Sequence, residues 1–128
     1  MGRATGTFDV TIGPLDHSAN DGTLGRMSID KQFHGDLQGT SKGEMLTAGT
    51  AVQGSAVYVA IERVHGTLDG RTGSFAMHHT GVMTRGAPSL TVTVVPDSGT
   101  DGLEGISGTC EIIREGKQHS YALKYSLA

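Results

Sequence analysis

The amino-acid sequence predicts an all-β protein, a single eight-stranded antiparallel barrel of the up-and-down type. Apolar and polar residues alternate along most of the chain, as in half-buried strands. Twenty glycines and no tryptophan favour many tight turns. No segment has the apolar spacing of an amphipathic helix. At 128 residues, one domain covering 1–128 is expected.

Three alternating segments in the first half of the chain predict strands. TFDVTI (7–12) places Phe8, Val10 and Ile12 on one face. RMSIDKQF (26–33) places Lys31 on the same face as its apolar residues. AVYVAIERV (56–64) is apolar on both faces until it reaches its glutamate and arginine, and it also predicts a strand.

Four further segments predict strands in the second half. SFAMHHTGVM (74–83) aligns Phe75, Met77 and His79 on one face. LTVTVV (90–95) alternates valine with threonine, and TCEII (109–113) and HSYALKYSL (119–127) alternate in the same way. Together with the strand that Ser41 would open, described below, we expect eight strands in all.

One seven-residue pattern occurs three times, as LQGTSKG (37–43), LDGRTGS (68–74) and LEGISGT (103–109). Glycine adopts positive φ without steric cost, so each copy is interpreted as a hairpin connection. Its leucine would close one strand, and Ser41, Thr72 or Ser107 would open the next. Short connections favour a closed barrel, which has no exposed strand edges, over the alternative of an open sandwich.

The composition argues against several classes of protein. The net charge is −3 and the cations are scattered, which disfavours a nucleic-acid-binding protein. No apolar stretch approaches the length of a membrane span. The single cysteine, Cys110, cannot form an internal disulfide, which fits a cytoplasmic protein.

Three segments resemble the DUF3224 family of uncharacterised bacterial proteins. They are GRMSIDKQFHGDLQGTSKGEML (25–46), YVAIERVHGTLDGRTGSFAMHHTG (58–81) and VVPDSGTDGLEGISG (94–108). The family is similar in fold to the allene oxide cyclase barrel, so the resemblance implies eight antiparallel strands around a central cavity. It implies no activity. By analogy alone, a cofactor-independent isomerase or cyclase is one expectation.

Ionisable residues on apolar faces are the candidate catalytic groups. We expect Lys31 and Glu62 to pair inside the barrel, with Glu62 as a general base and His79 as a proton shuttle. A pair that only neutralises itself and a hydrogen-bonded core histidine remain open alternatives. If Glu62 serves chemistry, Glu62→Gln should leave the protein folded and change ligand affinity or turnover.

Aromatic and apolar residues of the same faces are expected to form a ligand-binding wall, although they could be plain core. A bulge at Gly43 would bring Glu44 into the cavity as well. The segment 12–25 is the longest connection and a candidate lid. The predicted ligand-binding residues are Lys31, Phe33, Tyr58, Phe75, Met77, Tyr121 and Tyr125.

No metal or cofactor is expected. The chain has six histidines, but His78 and His79 are adjacent and would point to opposite faces of a strand. The partner expected is a small apolar or amphipathic molecule, not a nucleic acid or a membrane. A homodimer is a further expectation, although no sequence signal supports it. The alternatives are a non-catalytic ligand carrier and a filled barrel with a structural role.

Overall fold

A computed structural model of the chain describes residues 2–16 and 22–127. The candidate lid (12–25) therefore lies partly outside the described residues, and His17 lies entirely outside them. No helix occurs among the described residues, so this part of the chain contains none that could cross a membrane. The nine described strands are β1 (Gly2–Leu15), β2 (Leu24–Gly35), β3 (Leu37–Gly49), β4 (Ala56–Leu68), β5 (Arg71–Thr84), β6 (Ala87–Val94), β7 (Thr100–Asp101), β8 (Ser107–Glu115) and β9 (Gln118–Ser126).

Eight of these strands form a closed antiparallel barrel, which confirms the predicted fold class. The sheet runs in the order β4-β3-β2-β1-β9-β8-β6-β5, and pairing between β4 and β5 closes it. The two-residue strand β7 is an addition that pairs with the beginning of β5, where Gly73 lies opposite Asp101. Closure pairs the backbone N–H and C=O groups that an open sandwich would leave without hydrogen-bond partners at its edges.

The strand register places alternate residues of neighbouring strands on the inner face. Phe8 of β1 lies opposite Phe33 of β2, and both are buried. Two positions further along, Val10 lies opposite Lys31, so the lysine side chain also points inward. The alternation predicted from sequence therefore identifies which residues reach the barrel interior.

The repeated seven-residue pattern is a turn in only part of its occurrences. LDGRTGS is the β4–β5 hairpin, with Asp69 and Gly70 both at positive φ. The prediction is wrong for LQGTSKG, which forms the first half of β3. In the third copy, Leu103 lies in the loop after β7 and Ser107 opens β8. Glycine also serves close strand packing: a Cβ on Gly39 would lie 2.2 Å from the His65 carbonyl oxygen.

The leucines that begin the three copies share a structural role. Leu37, Leu68 and Leu103 are buried in one apolar cluster at the end of the barrel where β3 begins and β4 ends. Leu37 and Leu68 lie directly opposite each other, and the loop leading into β8 adds Leu103 and Ile106. The apolar cluster plugs this end, which we call the closed end.

A tyrosine ties the backbone together at the closed end. The Tyr121 hydroxyl accepts a hydrogen bond from the Leu37 backbone N–H at 2.9 Å. It lies 2.9 Å from the His34 carbonyl oxygen and 3.1 Å from that of Leu37, to which it can donate. One side chain of β9 thereby fixes the connection between β2 and β3 on the other side of β1.

The outer surface carries an exposed apolar patch across β3, β4 and β5, formed in part by the outward apolar residues of β4. Leu46 lies opposite Val59, and Val57 lies opposite Val82, so the side chains are contiguous across the strands. Ile61 extends the patch and is 63% exposed. We call it the outer stripe, and it consists of Leu46, Val57, Val59, Ile61 and Val82.

Removing the Tyr121 hydroxyl should destabilise the fold. Tyr121→Phe leaves the buried Leu37 N–H without its acceptor, so we expect the free energy of unfolding to fall by about 1–3 kcal/mol. Urea denaturation measures the change. The matched control is Tyr125→Phe on the same strand, since that hydroxyl donates to the solvent-exposed Asp69 carboxylate. A loss below about 1 kcal/mol is expected for the control, and equal losses in the two variants would contradict this role of Tyr121.

Candidate functional site

Four polar residues meet inside the barrel, one from each of four successive strands. They are Lys31 of β2, Ser41 of β3, Glu62 of β4 and His79 of β5, and all are buried. Each occupies an inward position of its strand, and Lys31 lies directly opposite Ser41. We call this group the Glu62 cluster.

Glu62 is the centre of the cluster and uses both carboxylate oxygens. The Lys31 ammonium lies 2.9 Å from Oε2, so the ion pair that the sequence predicted is present. Ser41 donates its hydroxyl proton to Oε1 at 2.8 Å. The His79 ring bonds to Oε2 through Nε2. The buried negative charge therefore has three polar contacts.

The Lys31 ammonium also contacts aromatic rings. Its nitrogen lies 4.9 Å from the centroid of the Phe8 ring and 5.8 Å from that of Phe33. A cation near ring faces in a desolvated setting gains favourable electrostatic energy. These rings line the side of the cluster toward the closed end, where the apolar core begins.

Glu62 is ionised at neutral pH. Burial by itself raises the pKa of the carboxyl group, but the His79 hydrogen bond and the Lys31 charge outweigh burial and lower the pKa to about 2. Since the carboxylate is then purely an acceptor, His79 Nε2 carries the proton that it donates to Glu62. A carboxylate with so low a pKa is a weak proton acceptor for a substrate.

A cavity of about 850 Å³ opens at the other end of the barrel, which we call the open end. Its walls come from β2 to β6 and from β8. Three of the lining residues are methionines, Met27, Met45 and Met83, and Leu90 adds a further apolar side chain. Methionine side chains are flexible and adapt to irregular shapes. The cavity is mostly apolar and adaptable.

Tyr58 connects the cavity with the Glu62 cluster. It lines the cavity, and its ring centroid lies 6.4 Å from that of His79. Gly81 leaves space for the ring, because a Cβ there would lie 2.2 Å from Tyr58 Cε1. Burial, and then the negative charge of Glu62, raise the pKa of the Tyr58 hydroxyl. The hydroxyl therefore keeps its proton and remains a hydrogen-bond donor.

The cluster lies deeper in the barrel than the cavity. On β5, His79 is the next inward position below the lining residue Gly81. On β2, two inward steps separate Met27 from Lys31. The predicted catalytic residues Glu62 and His79 do not line the cavity, and Tyr58 stands between it and them.

The predicted ligand-binding residues fall into four places. Tyr58 lines the cavity, and Lys31 belongs to the Glu62 cluster. Tyr125 lies near the closed end, where its hydroxyl bonds to Asp69. The remaining predicted residues are packed in the apolar core: Phe33, Phe75, Met77 and Tyr121.

Two further ionisable residues, the candidate Glu44 and the single cysteine, lie outside the site. Glu44 is exposed on the outer face and forms a 2.7 Å ion pair with Arg26, so no bulge brings it inside. Cys110 is partly buried against the core. Burial raises the pKa of its thiol to about 11, which the Lys31 charge only partly offsets, so the thiol stays protonated.

Apart from Tyr58, sequence reasoning missed the residues that line the open end. Met27 and Met83 belong to faces that the alternation had identified, but alternation gives no depth along the barrel axis. Arg114 continues the inward face of Cys110 and Ile112 and lies one residue beyond the predicted strand 109–113. Among the described residues, no three histidine, cysteine, aspartate or glutamate side chains come together as metal ligands would.

Comparison with known proteins identifies the family. A family model described as "protein of unknown function (DUF3224)" matches residues 4–125 of the chain. The chain belongs to the DUF3224 family. A crystal structure of a DUF3224 protein of unknown function from Shewanella oneidensis MR-1 is 48% identical in sequence, with a TM-score of 0.94. The match covers 100% of this chain and 98% of that one. A search of curated proteins gives no match.

Glu62→Gln should primarily reduce stability, contrary to the sequence expectation of a folded variant altered only in ligand handling. Neutralising Glu62 leaves the Lys31 ammonium buried without its counter-ion, and we expect a loss of about 3–5 kcal/mol in the free energy of unfolding. Chemical denaturation measures it. The double variant Lys31→Met/Glu62→Gln removes both charges and should lose less than the sum of the two single variants.

Glu44→Gln is the matched control. It removes the same charge from an exposed pair with Arg26, where solvent screens the interaction. A loss below about 1 kcal/mol is expected. If Glu62→Gln were as mild as Glu44→Gln, the Glu62 cluster would not be holding the strands together.

Stability should also fall in acid through Glu62. Its folded pKa of about 2 lies below the ordinary value of 4.5, so ionised Glu62 contributes fully above about pH 4.5 and progressively less as the pH falls through about 2. The shift corresponds to on the order of 3 kcal/mol. Denaturation curves between about pH 5 and about pH 2 test this. The Glu62→Gln variant should show a shallower pH dependence, and an unchanged slope would refute the assignment to Glu62.

Proposed function

We propose that this protein binds a small, mostly apolar molecule in the cavity at the open end of its barrel. The observation that carries the proposal is the cavity itself, about 850 Å³ with a mostly apolar lining. Small-molecule sites in proteins are concave, largely apolar and of this size, with few polar groups to fix orientation. The Tyr58 hydroxyl, kept protonated, is such a polar group.

The exposure of inward-facing residues supports the same proposal. Leu90 is 43% exposed, although Val92 and Val94 on the same inward face of β6 are buried. Met83 on β5 is similarly exposed at its inward position. Contiguous apolar surface that stays accessible in a concavity is typical of a ligand site, since covering it is favourable.

Binding without catalysis is the form of the proposal that the Glu62 cluster favours. Glu62 is buried, ionised and occupied by Lys31, Ser41 and His79. A general base needs to reach the proton that it removes. A carrier needs the cavity but no reactive group, and the cluster then serves as a neutralised floor.

A cofactor-independent isomerase or cyclase is the second candidate. The observation that favours it is the closeness of the Tyr58 ring, which lines the cavity, to the His79 ring. Tyr58 would act as the proton donor to a ligand oxygen, with His79 and Glu62 behind it. This candidate requires that a bound molecule leave the barrel chemically changed.

Filling the cavity should weaken binding. Leu90→Trp replaces an aliphatic side chain with a bulkier indole ring that occupies part of the cavity. We expect the affinity for a neutral apolar fluorophore such as N-phenyl-1-naphthylamine to fall at least about ten-fold. A fluorescence titration measures this affinity. The control Ile113→Trp adds the same ring at an outward, 37% exposed position of β8, and affinity should not change. Absence of binding by the wild-type protein, or equal losses in the two variants, would overturn the proposal.

A further inference from the structure

One cation lies in the wall of the apolar cavity. Arg114 is at the open end of β8, where it continues the inward face of Cys110 and Ile112. It is the only charged residue among the described residues that line the cavity. The acidic neighbours on its own strand, Glu111 and Glu115, occupy outward positions.

Arg114 has no counter-ion among the described residues. The ion pairs found there involve Arg26, Lys31, His34 and His79. No hydrogen bond from the Arg114 guanidinium occurs within the same part of the chain. Guanidinium groups bind carboxylates and phosphates through a planar array of donors, so an unpaired one beside a ligand cavity is suited to an anion.

The described residues of the deeper interior offer no second place for a ligand charge. Lys31 lies 2.9 Å from Glu62, and the pair is buried and mutually neutralised. A ligand anion placed there would have to compete with a carboxylate that already has three partners. An ionised head group is therefore most stable at the open end, and the apolar part of the ligand lies toward Tyr58.

We propose that the cavity takes amphipathic anions with the apolar part inward and the negatively charged head group held at the open end by Arg114. This inference rests on the proposed function and specifies its ligand class. The three cavity methionines contact the apolar part and tolerate differences in its shape. Discrimination between ligands then comes from the head group rather than from the outline of the chain.

The test compares two molecules of equal chain length, decanoate and 1-decanol, as competitors of the neutral fluorophore. Arg114→Gln should weaken decanoate binding roughly three- to five-fold, as expected for a partly solvated ion pair. Decanol binding should be unchanged. The matched control Lys117→Gln removes a cation from the β8–β9 turn that does not line the cavity, and it should alter neither affinity.

The outcomes separate this inference from the proposed function. If Arg114→Gln leaves the ratio of decanoate to decanol affinity at its wild-type value, the head-group role is wrong and the cavity remains a ligand site. If neither competitor nor the fluorophore binds to the wild-type protein, the proposed function fails and this inference fails with it. Thermal unfolding should be the same for wild-type protein and Arg114→Gln, since Arg114 has no ion pair to lose within residues 2–16 and 22–127.

Discussion

The interior of this barrel depends on keeping the Glu62 carboxylate ionised away from water. An isolated buried charge is too costly to persist, so the fold must deliver a cation and hydrogen-bond donors to the same point. Lys31, Ser41 and His79 do this from three different strands. The requirement couples the register of β2, β3, β4 and β5: slipping any one of them by a residue would turn its polar group outward.

The same constraint divides the barrel along its axis. On one side of the Glu62 cluster, aromatic rings and the three leucines of the repeated pattern fill the interior. On the other side, methionines, glycines and Leu90 leave it hollow. A neutralised layer of polar side chains thus separates a part of the interior that supports the fold from a part that is accessible to solvent.

The sequence predicted the faces of the strands better than their depth. Period-2 alternation is a direct consequence of strand geometry, and it correctly brought Lys31 and Glu62 together. It could not distinguish the open from the closed end, because a phenylalanine and a methionine on the same face look alike in a pattern. Phe75 and Tyr58 were therefore both predicted to bind a ligand, although Phe75 lies in the apolar core and Tyr58 lines the cavity. The LQGTSKG segment was misassigned because glycine suits both a turn and close contact between strands.

The outer stripe on β3, β4 and β5 limits the ways in which this protein can associate with other molecules. Both edges of β4 are fully hydrogen-bonded within the closed sheet, so its exposed valines and Ile61 come with no vacant backbone donors or acceptors. Strand addition and fibril-like templating need such vacancies. Any association through this surface must therefore occur between side chains. The outer stripe can form apolar contacts with another molecule, but it cannot template the addition of a further β-strand.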